Sequence, residues 1–496
     1  MQQAKQHIIP PLPKKKLRQA RRVGQIPLCV DLDGTLVNTD IFLENVLSMF
    51  KKNPWLILRF PLWLLRGKSY VKNKVLNNIS IDFSALPYNE KLIQFLKKRS
   101  EEGQKLILVT GSTREVALGV AKHLNIFEEV HATHKKINLT AENKAFFLRS
   151  YYGAGQYDYV GNERADLPVW KTARTSYLVN TSNFVTKKAY KIASDVKILD
   201  AKVDVFKAFI KSLRTHQWLK NILVFVPLLL ANRLGMNEWI QGFMAFMSFS
   251  LVASSGYVFN DLLDINSDRK HVSKKKRPFA AGILGIDFGI MMIPTLLLGS
   301  ILLAIPLGLG YLSVVVLYFA LTLSYSIWIK KFEVADVIVL AGFYSLRLYA
   351  GALATNIPVS SWLIAFTTFL FLSLALMKRS SELIEKIEIG GKETLSRGYR
   401  LNDHPLLRSL GSTSGYLSVV VFGLYIQSPA VYSYYKTPDY LWGICILLVY
   451  WISRFWVLAN RGKVDYDPVF FAAKDRVTHI IAALMAVCWL LARGIS

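Results

Sequence analysis

Two groups of acidic residues in this chain have the types and spacing that phosphate chemistry needs. In VDLDGTLVNTD, Asp31 and Asp33 alternate across the end of an apolar strand, and Gly34 allows a sharp turn. A carboxylate so placed can attack phosphorus and form an acyl phosphate. A second carboxylate two residues on can protonate the leaving alkoxide and then activate water. The other group lies in SGYVFNDLLDINSDRKHVSKKKRP, residues 255–278. There Asn260, Asp264 and Asp268 recur at i, i+4 and i+8, and Asp261 precedes Asp264 by three. On a helix these share one face, where like charges repel. A face that gathers them is therefore expected to hold cations. Mg2+ takes one or two carboxylates plus phosphate oxygens, and Arg269, Lys274, Lys276 and Arg277 follow at once to suit a phosphate-rich ligand.

The elements that position these residues differ between two halves of the chain. Of the 496 residues, 52% are apolar and 19% charged, with a net charge of +27. That balance excludes an intrinsically disordered chain and argues against a single soluble globule. The cysteines Cys29, Cys445 and Cys488 are scattered, which excludes a disulfide framework and a multi-cysteine zinc module. Through about residue 200, short apolar runs alternate with polar helical stretches. IPLCV (26–30), KLILVTG (105–111) and YDYVG (157–161) read as buried strands of a parallel sheet. From about 215, apolar runs near bilayer-spanning length recur near 218–235, 239–259, 283–304, 307–329, 334–355, 360–378, 415–435, 440–458 and 477–494. The expected organisation is a basic tail over 1–25, an α/β domain over 26–175 with a helical cap at about 40–90, a linker over 176–205 carrying an amphipathic helix, and an all-α membrane domain of about nine spans over 206–496.

Lys and Arg crowd the loops after the second, fourth, sixth and eighth runs, which places those loops in the cytoplasm. The N-terminal domain, whose first residues show no secretory signal, belongs on the same side, with the C-terminus outside a plasma membrane of bacterial type. The basic residues sit beside the spans, so the partner they imply is a membrane and not nucleic acid. Residues 51–74 interleave Lys51, Lys52, Arg59, Arg66, Lys68, Lys72 and Lys74 with Trp55, Leu56, Phe60, Leu62, Trp63 and Leu65, the composition of a helix lying in the headgroup plane.

The N-terminal half resembles the haloacid-dehalogenase-type phosphatases over roughly 26–175. DLDGT (31–35) matches their first motif, Thr110 in LILVTGS the hydroxyl motif, Lys144 in NLTAENK the basic motif, and GNERAD (161–166) the acidic motif. Lys135 and Lys136 compete with Lys144. The resemblance implies a Rossmann-like fold with Asp31 as nucleophile and Asp33 as acid and base. Thr110 and a lysine would hold the phosphate, and Mg2+ would sit on Asp31, Asp33, Asn162 and Asp166. The last motif usually opens with Asp, and here it is Asn162, which brings an oxygen but no charge; weaker metal binding is expected.

The C-terminal half resembles the UbiA-type membrane prenyltransferases over roughly 205–495, and within them the branch that makes polyprenylphosphoryl 5-phosphoribose. The matching stretches are RTHQWLKNILVFVP (214–227), NDLLDINSDRKHVSKKKRPFAAG (260–282), YSIWIKKFEVADVIVLAGFYSLRLYAGALA (325–354) and DYDPVFFAAKDRV (465–477). Members that prenylate aromatic rings usually carry a second cluster of two acids four apart; here that region offers Asp336 with Glu333. The implied reaction transfers 5-phosphoribosyl from phosphoribosyl diphosphate to a polyprenyl phosphate. Mg2+ on Asp264 and Asp268, with Asn260 and Asp261, would neutralise the departing diphosphate. Arg214, Lys220, Asn221, Lys330 and Arg347 would orient substrate phosphates, and Tyr325 and Asp336 would also bind substrate. Arg347 lies inside an apolar run, where a charge points to function; the competing role is a structural pair with Asp336. A phosphatase on the same membrane face could then remove the 5-phosphate to leave polyprenylphosphoryl ribose. The rival readings are an aromatic prenyltransferase with a weak or non-catalytic soluble domain, and a transporter with a regulatory one.

Overall fold

The computed structural model describes residues 26–65, 71, 74–75, 81–133, 139–199, 204–231, 235–271, 273–388, 398–464 and 467–494. They fall into two compact units, Met1–Phe209 with Asp261–Gly289, and Ile210–Asn260 with Ile290–Ser496.

In the first unit the apolar runs become strands because their side chains have a core to enter on both faces. Leu28 and Val30 of β1 (Leu28–Val30) and Leu106 and Leu108 of β2 (Leu106–Thr113) enter one cluster. Cys29, Ile107 and Val109 enter the other. This period-two alternation buries all of β1 and β2 through Thr110, as parallel sheets require. β3 (Glu129–Thr133), β4 (Asp158–Gly161), β5 (Ser176–Leu178) and β6 (Val196–Ile198) complete a six-stranded sheet of order β3-β2-β1-β4-β5-β6. All its pairings are parallel. The order reverses at β1, so the crevice beyond its C-terminal end is where this topology binds ligands. The sheet continues through β5 and β6 into residues assigned above to a linker. Those strands have three residues each, too few for a periodic signal. The amphipathic helix of that stretch forms at Asn183–Ile192.

Asp40 caps the Ile41–Lys52 helix by accepting from the Leu43 amide. Beyond it, the short helical segments Pro54–Leu58 and Phe60–Leu65 leave Trp55, Leu58, Leu62 and Leu65 exposed. Arg66, Lys68 and Lys72, and the tail over 1–25, lie outside the described residues.

The second unit is helical. Eight helices among the described residues are long and apolar enough to cross a membrane. Nine apolar runs were expected. The first, 218–235, is instead a tight helical turn over Thr215–Phe225 followed by the six-residue helix Val226–Ala231. Pro227 offers no amide to that ladder, and Arg214 enters it with φ 52°. The seventh run begins earlier than expected, its helix spanning His404–Ile426.

Candidate active sites

At the C-terminal end of β1 the chain turns through Asp31, Asp33 and Gly34. Gly34 has φ +74°, and a Cβ there would lie 2.2 Å from Asn162 Nδ2. Only glycine lets this loop lie against the loop after β4. Lys144, from the Ala141–Tyr152 helix, donates to Asp31 Oδ1 at 2.7 Å and to Tyr159 Oη at 2.8 Å, and lies 3.6 Å from Asp166. Burial pushes the Asp31 carboxyl up to about 7, against the opposing pull of the Lys144 charge. Asp33 accepts from the Ile41 amide at 3.1 Å and from Ser112 Oγ at 2.5 Å. The Ser112 amide in turn donates to Thr110 Oγ1 at 2.9 Å. The loop end of β2 thus brings the Ser112 hydroxyl to Asp33. Asp31, Asp33, Thr110 and Lys144 converge here, while Lys135 and Lys136 lie outside the described residues.

Asp166 departs from expectation as a metal ligand. One of its oxygens accepts from the Asn162 and Glu163 amides at 2.9 and 3.1 Å, and the other from Tyr159 Oη at 2.7 Å. Its carboxylate shapes the loop that carries Asn162, whose Oδ1 accepts from Thr35 Oγ1 at 3.1 Å. The Asp31 carboxylate, the Asp33 main-chain carbonyl and the neutral Asn162 amide oxygen would fit Mg2+, a set with one negative charge fewer. Ser112, Thr35 and Tyr159 were not singled out from sequence. Each acts through a partner distant in the chain, so no local pattern reveals it.

The acidic loop also departs from a single helical face. The Met236–Leu263 helix stops, and Asp264 stands at the break before the short Ile265–Arg269 helix. Asp261 and Asp268 come together instead, seven residues and two helical turns apart. One nitrogen, Arg277 Nη1, donates to Asp261 Oδ1 at 3.0 Å and to Asp268 Oδ2 at 2.6 Å. Burial raises the Asp268 carboxyl, in part offset by Arg277. Asp264 Oδ1 accepts from Lys51 Nζ at 2.7 Å. Among the described residues no three His, Cys, Asp or Glu side chains are placed to share one metal ion. Two carboxylates that share one cationic nitrogen can share one hard cation, so Asp261 and Asp268 fit Mg2+ with phosphate oxygens completing its shell.

Arg269, expected on phosphate, is committed elsewhere. It is buried, with Nη1 on Glu44 Oε1 at 2.7 Å and Nε on the Ala280 carbonyl at 3.0 Å. Asn266 donates to Ser48 Oγ at 3.0 Å. Lys270 pairs with Asp82 at 2.7 Å. Lys274 and Lys276 sit in the turn just before Arg277.

In the second unit, Lys220 pairs with Asp467, and Lys330 donates to Asn260 Oδ1 at 3.2 Å. Arg214 stacks over the Tyr257 ring. Arg347 is buried, but its partner is not Asp336. It donates to Asn221 Oδ1 at 2.7 Å, to the Phe343 carbonyl at 2.5 Å and to Tyr318 Oη at 3.0 Å. Its flat guanidinium also lies over the Phe249, Tyr318 and Tyr344 rings. Asp336, expected on substrate, is sealed away. It accepts from Arg379 Nε at 2.5 Å and from Tyr399 Oη at 2.6 Å, and Arg379 also reaches Tyr325 Oη at 3.1 Å. Asp336, Arg347 and Asn221 are thus all bonded to other protein groups.

The profile of the UbiA prenyltransferase family matches residues 221–475. Along 94% of this chain and 91% of its own length, the protein y4nM of Sinorhizobium fredii is 31% identical. Nodulation protein NoeC of Azorhizobium caulinodans is 36% identical over 54% of this chain and 88% of its own. Decaprenyl-phosphate phosphoribosyltransferase of Mycobacterium tuberculosis is 30% identical over 58% of this chain and 92% of its own.

Proposed function

The chain belongs to the UbiA prenyltransferase family, a multi-pass membrane transferase, and we propose that it moves 5-phosphoribosyl from phosphoribosyl diphosphate to a polyprenyl phosphate. The observation that carries this reading is the pair Asp261 and Asp268 drawn to one cationic nitrogen, in a chain 30% identical over 58% of its length to a decaprenyl-phosphate phosphoribosyltransferase. Asp261 and Asp268 would hold Mg2+, which when bound supplies charge to offset the departing diphosphate. Arg277, with Lys274 and Lys276 beside it, is poised to turn from the carboxylates to diphosphate oxygens. Lys220 and Lys330 are the cations of the second unit assigned to phosphate. The ribose C1–O bond to diphosphate breaks as the acceptor phosphate oxygen bonds to C1, which develops oxocarbenium character. The acceptor is already an anion, so no strong base is needed.

We further propose a phosphatase at the β1 turn, related to the haloacid-dehalogenase type. Asp31 attacks the 5-phosphate and the P–O bond to the ribose breaks. Asp33, aimed by Ser112 and the Ile41 amide, protonates the leaving oxygen and then activates water. Lys144 holds the phosphate beside Asp31. The lost charge at Asn162 predicts a high Mg2+ requirement. Both reactions are assigned to the cytoplasmic face, on the evidence of the Lys- and Arg-rich loops. The exposed Trp55, Leu58, Leu62 and Leu65 support headgroup contact on that face.

The test is to incubate purified protein with polyprenyl phosphate, phosphoribosyl diphosphate and Mg2+ and weigh the lipid. Polyprenylphosphoryl ribose is expected. Accumulation of the 5-phosphorylated lipid alone removes the phosphatase. Turnover of a prenyl diphosphate with an aromatic acceptor, and no ribosylated lipid, replaces the transferase assignment.

A further inference from the structure

The Ile41–Lys52 helix presents Glu44, Ser48 and Lys51 at i, i+4 and i+7, one stripe of its surface. Each meets the acidic loop: Glu44 on Arg269, Ser48 on Asn266, Lys51 on Asp264. At the other end of the loop, Gly282 has φ +70°, and a Cβ there would lie 2.2 Å from the Asn38 carbonyl oxygen. The contacts differ in permanence. The Glu44 and Arg269 side chains are 7% and 6% exposed, so that pair is an anchor. Lys51 and Asp264 are 31% and 19% exposed. An ammonium on a flexible four-carbon stem, reached by water, can leave its carboxylate.

We propose that Lys51 is a displaceable counter-cation for Asp264, through which the α/β domain sets the divalent-cation affinity of the acidic loop. This rests on the reading of that loop as a Mg2+ site. With the loop empty, the ammonium offsets the Asp264 charge. A divalent ion on Asp261 and Asp268 repels the ammonium and competes with it for Asp264, so Lys51 raises the concentration at which the ion binds. Lys51 is thus a positioning residue that tunes the site and takes no part in bond making.

The test is Mn2+ titration of the full-length, substrate-free protein in phosphatidylcholine nanodiscs, reading free Mn2+ by electron paramagnetic resonance. Asp31→Asn is carried throughout to remove the other candidate site. Lys51→Gln is expected to tighten Mn2+ binding about fivefold, the worth of a partly exposed ion pair. Lys51→Met should do the same, and Lys51→Arg should stay near the parent. Unchanged or weaker binding in both Lys51→Gln and Lys51→Met, with binding lost in Asp261→Asn with Asp268→Asn, overturns the counter-cation role alone. Should the parent bind no Mn2+, or Asp261→Asn with Asp268→Asn bind it as the parent does, the metal reading of the loop falls and takes this proposal with it.

Discussion

The turn after β1 and the acidic loop both gather carboxylates, yet they treat charge in opposite ways. Around Asp31 the lysine comes from within: Lys144 is buried, wedged among Asp31, Tyr159 and Asp166. Around Asp264 and Asp268 the partners are the ends of partly exposed side chains, Lys51 and Arg277. A buried partner cannot be exchanged without a large desolvation cost, so it preorganises. A partner reached by water can be exchanged for an ion or a phosphate. The first arrangement suits a fixed nucleophile, and the second a loop that must load and release a ligand.

The sharpest break of that comparison is Asp31→Asn. It should cut phosphate release from a 5-phosphorylated lipid by about four orders of magnitude, as nucleophile removal does, and leave ribosyl transfer unchanged. A fall in both would mean the two sites do not work independently. Next, Asp261→Asn with Asp268→Asn should lower ribosylated lipid by about a thousandfold, measured by mass spectrometry, with phosphate release intact. Arg379→Met addresses a brace and no chemistry. It leaves the fully buried Asp336 without its cation and should cost about 3–5 kcal/mol, read as a lower thermal midpoint of the purified protein. Adding Asp336→Leu should recover part of that loss, because Arg379 also pairs with Glu382. Smallest, Gly282→Ala forces a side chain against the Asn38 carbonyl from a left-handed backbone. It should cost about 1–3 kcal/mol and speed protease cleavage within 261–289.

The strands of the inner sheet were legible because each is a short apolar run with a core on both faces. β3 was missed because EVHAT is polar and only half buried. β5 and β6 were missed because three residues carry no period. The DLDGT turn and Lys144 were legible from motif order. Ser112 reaches Asp33 from 79 residues away and Tyr159 reaches Lys144 from 15, and no spacing rule joins them. Helical periodicity placed the acids of the loop on one face, but the break at Asp264 re-sorted them. Asp336 and Arg347, both marked for substrate, are each held by other protein groups, Asp336 by Arg379 and Tyr399 and Arg347 by Asn221 and Tyr318. A charge inside an apolar run signals a partner, and only the tertiary contacts tell whether it is a molecule or a side chain.

Separating the two catalytic assignments into independent genes would carry a penalty written into a single helix. The fragment left behind would keep the Arg269 guanidinium without Glu44, a stranded cation worth several kcal/mol. The mycobacterial relative is matched along 92% of its own length by 58% of this chain. Fusion and loop chemistry are therefore expected to change in concert across descendants, and a chimera that swaps one without the other should fail even though every active-site residue is present.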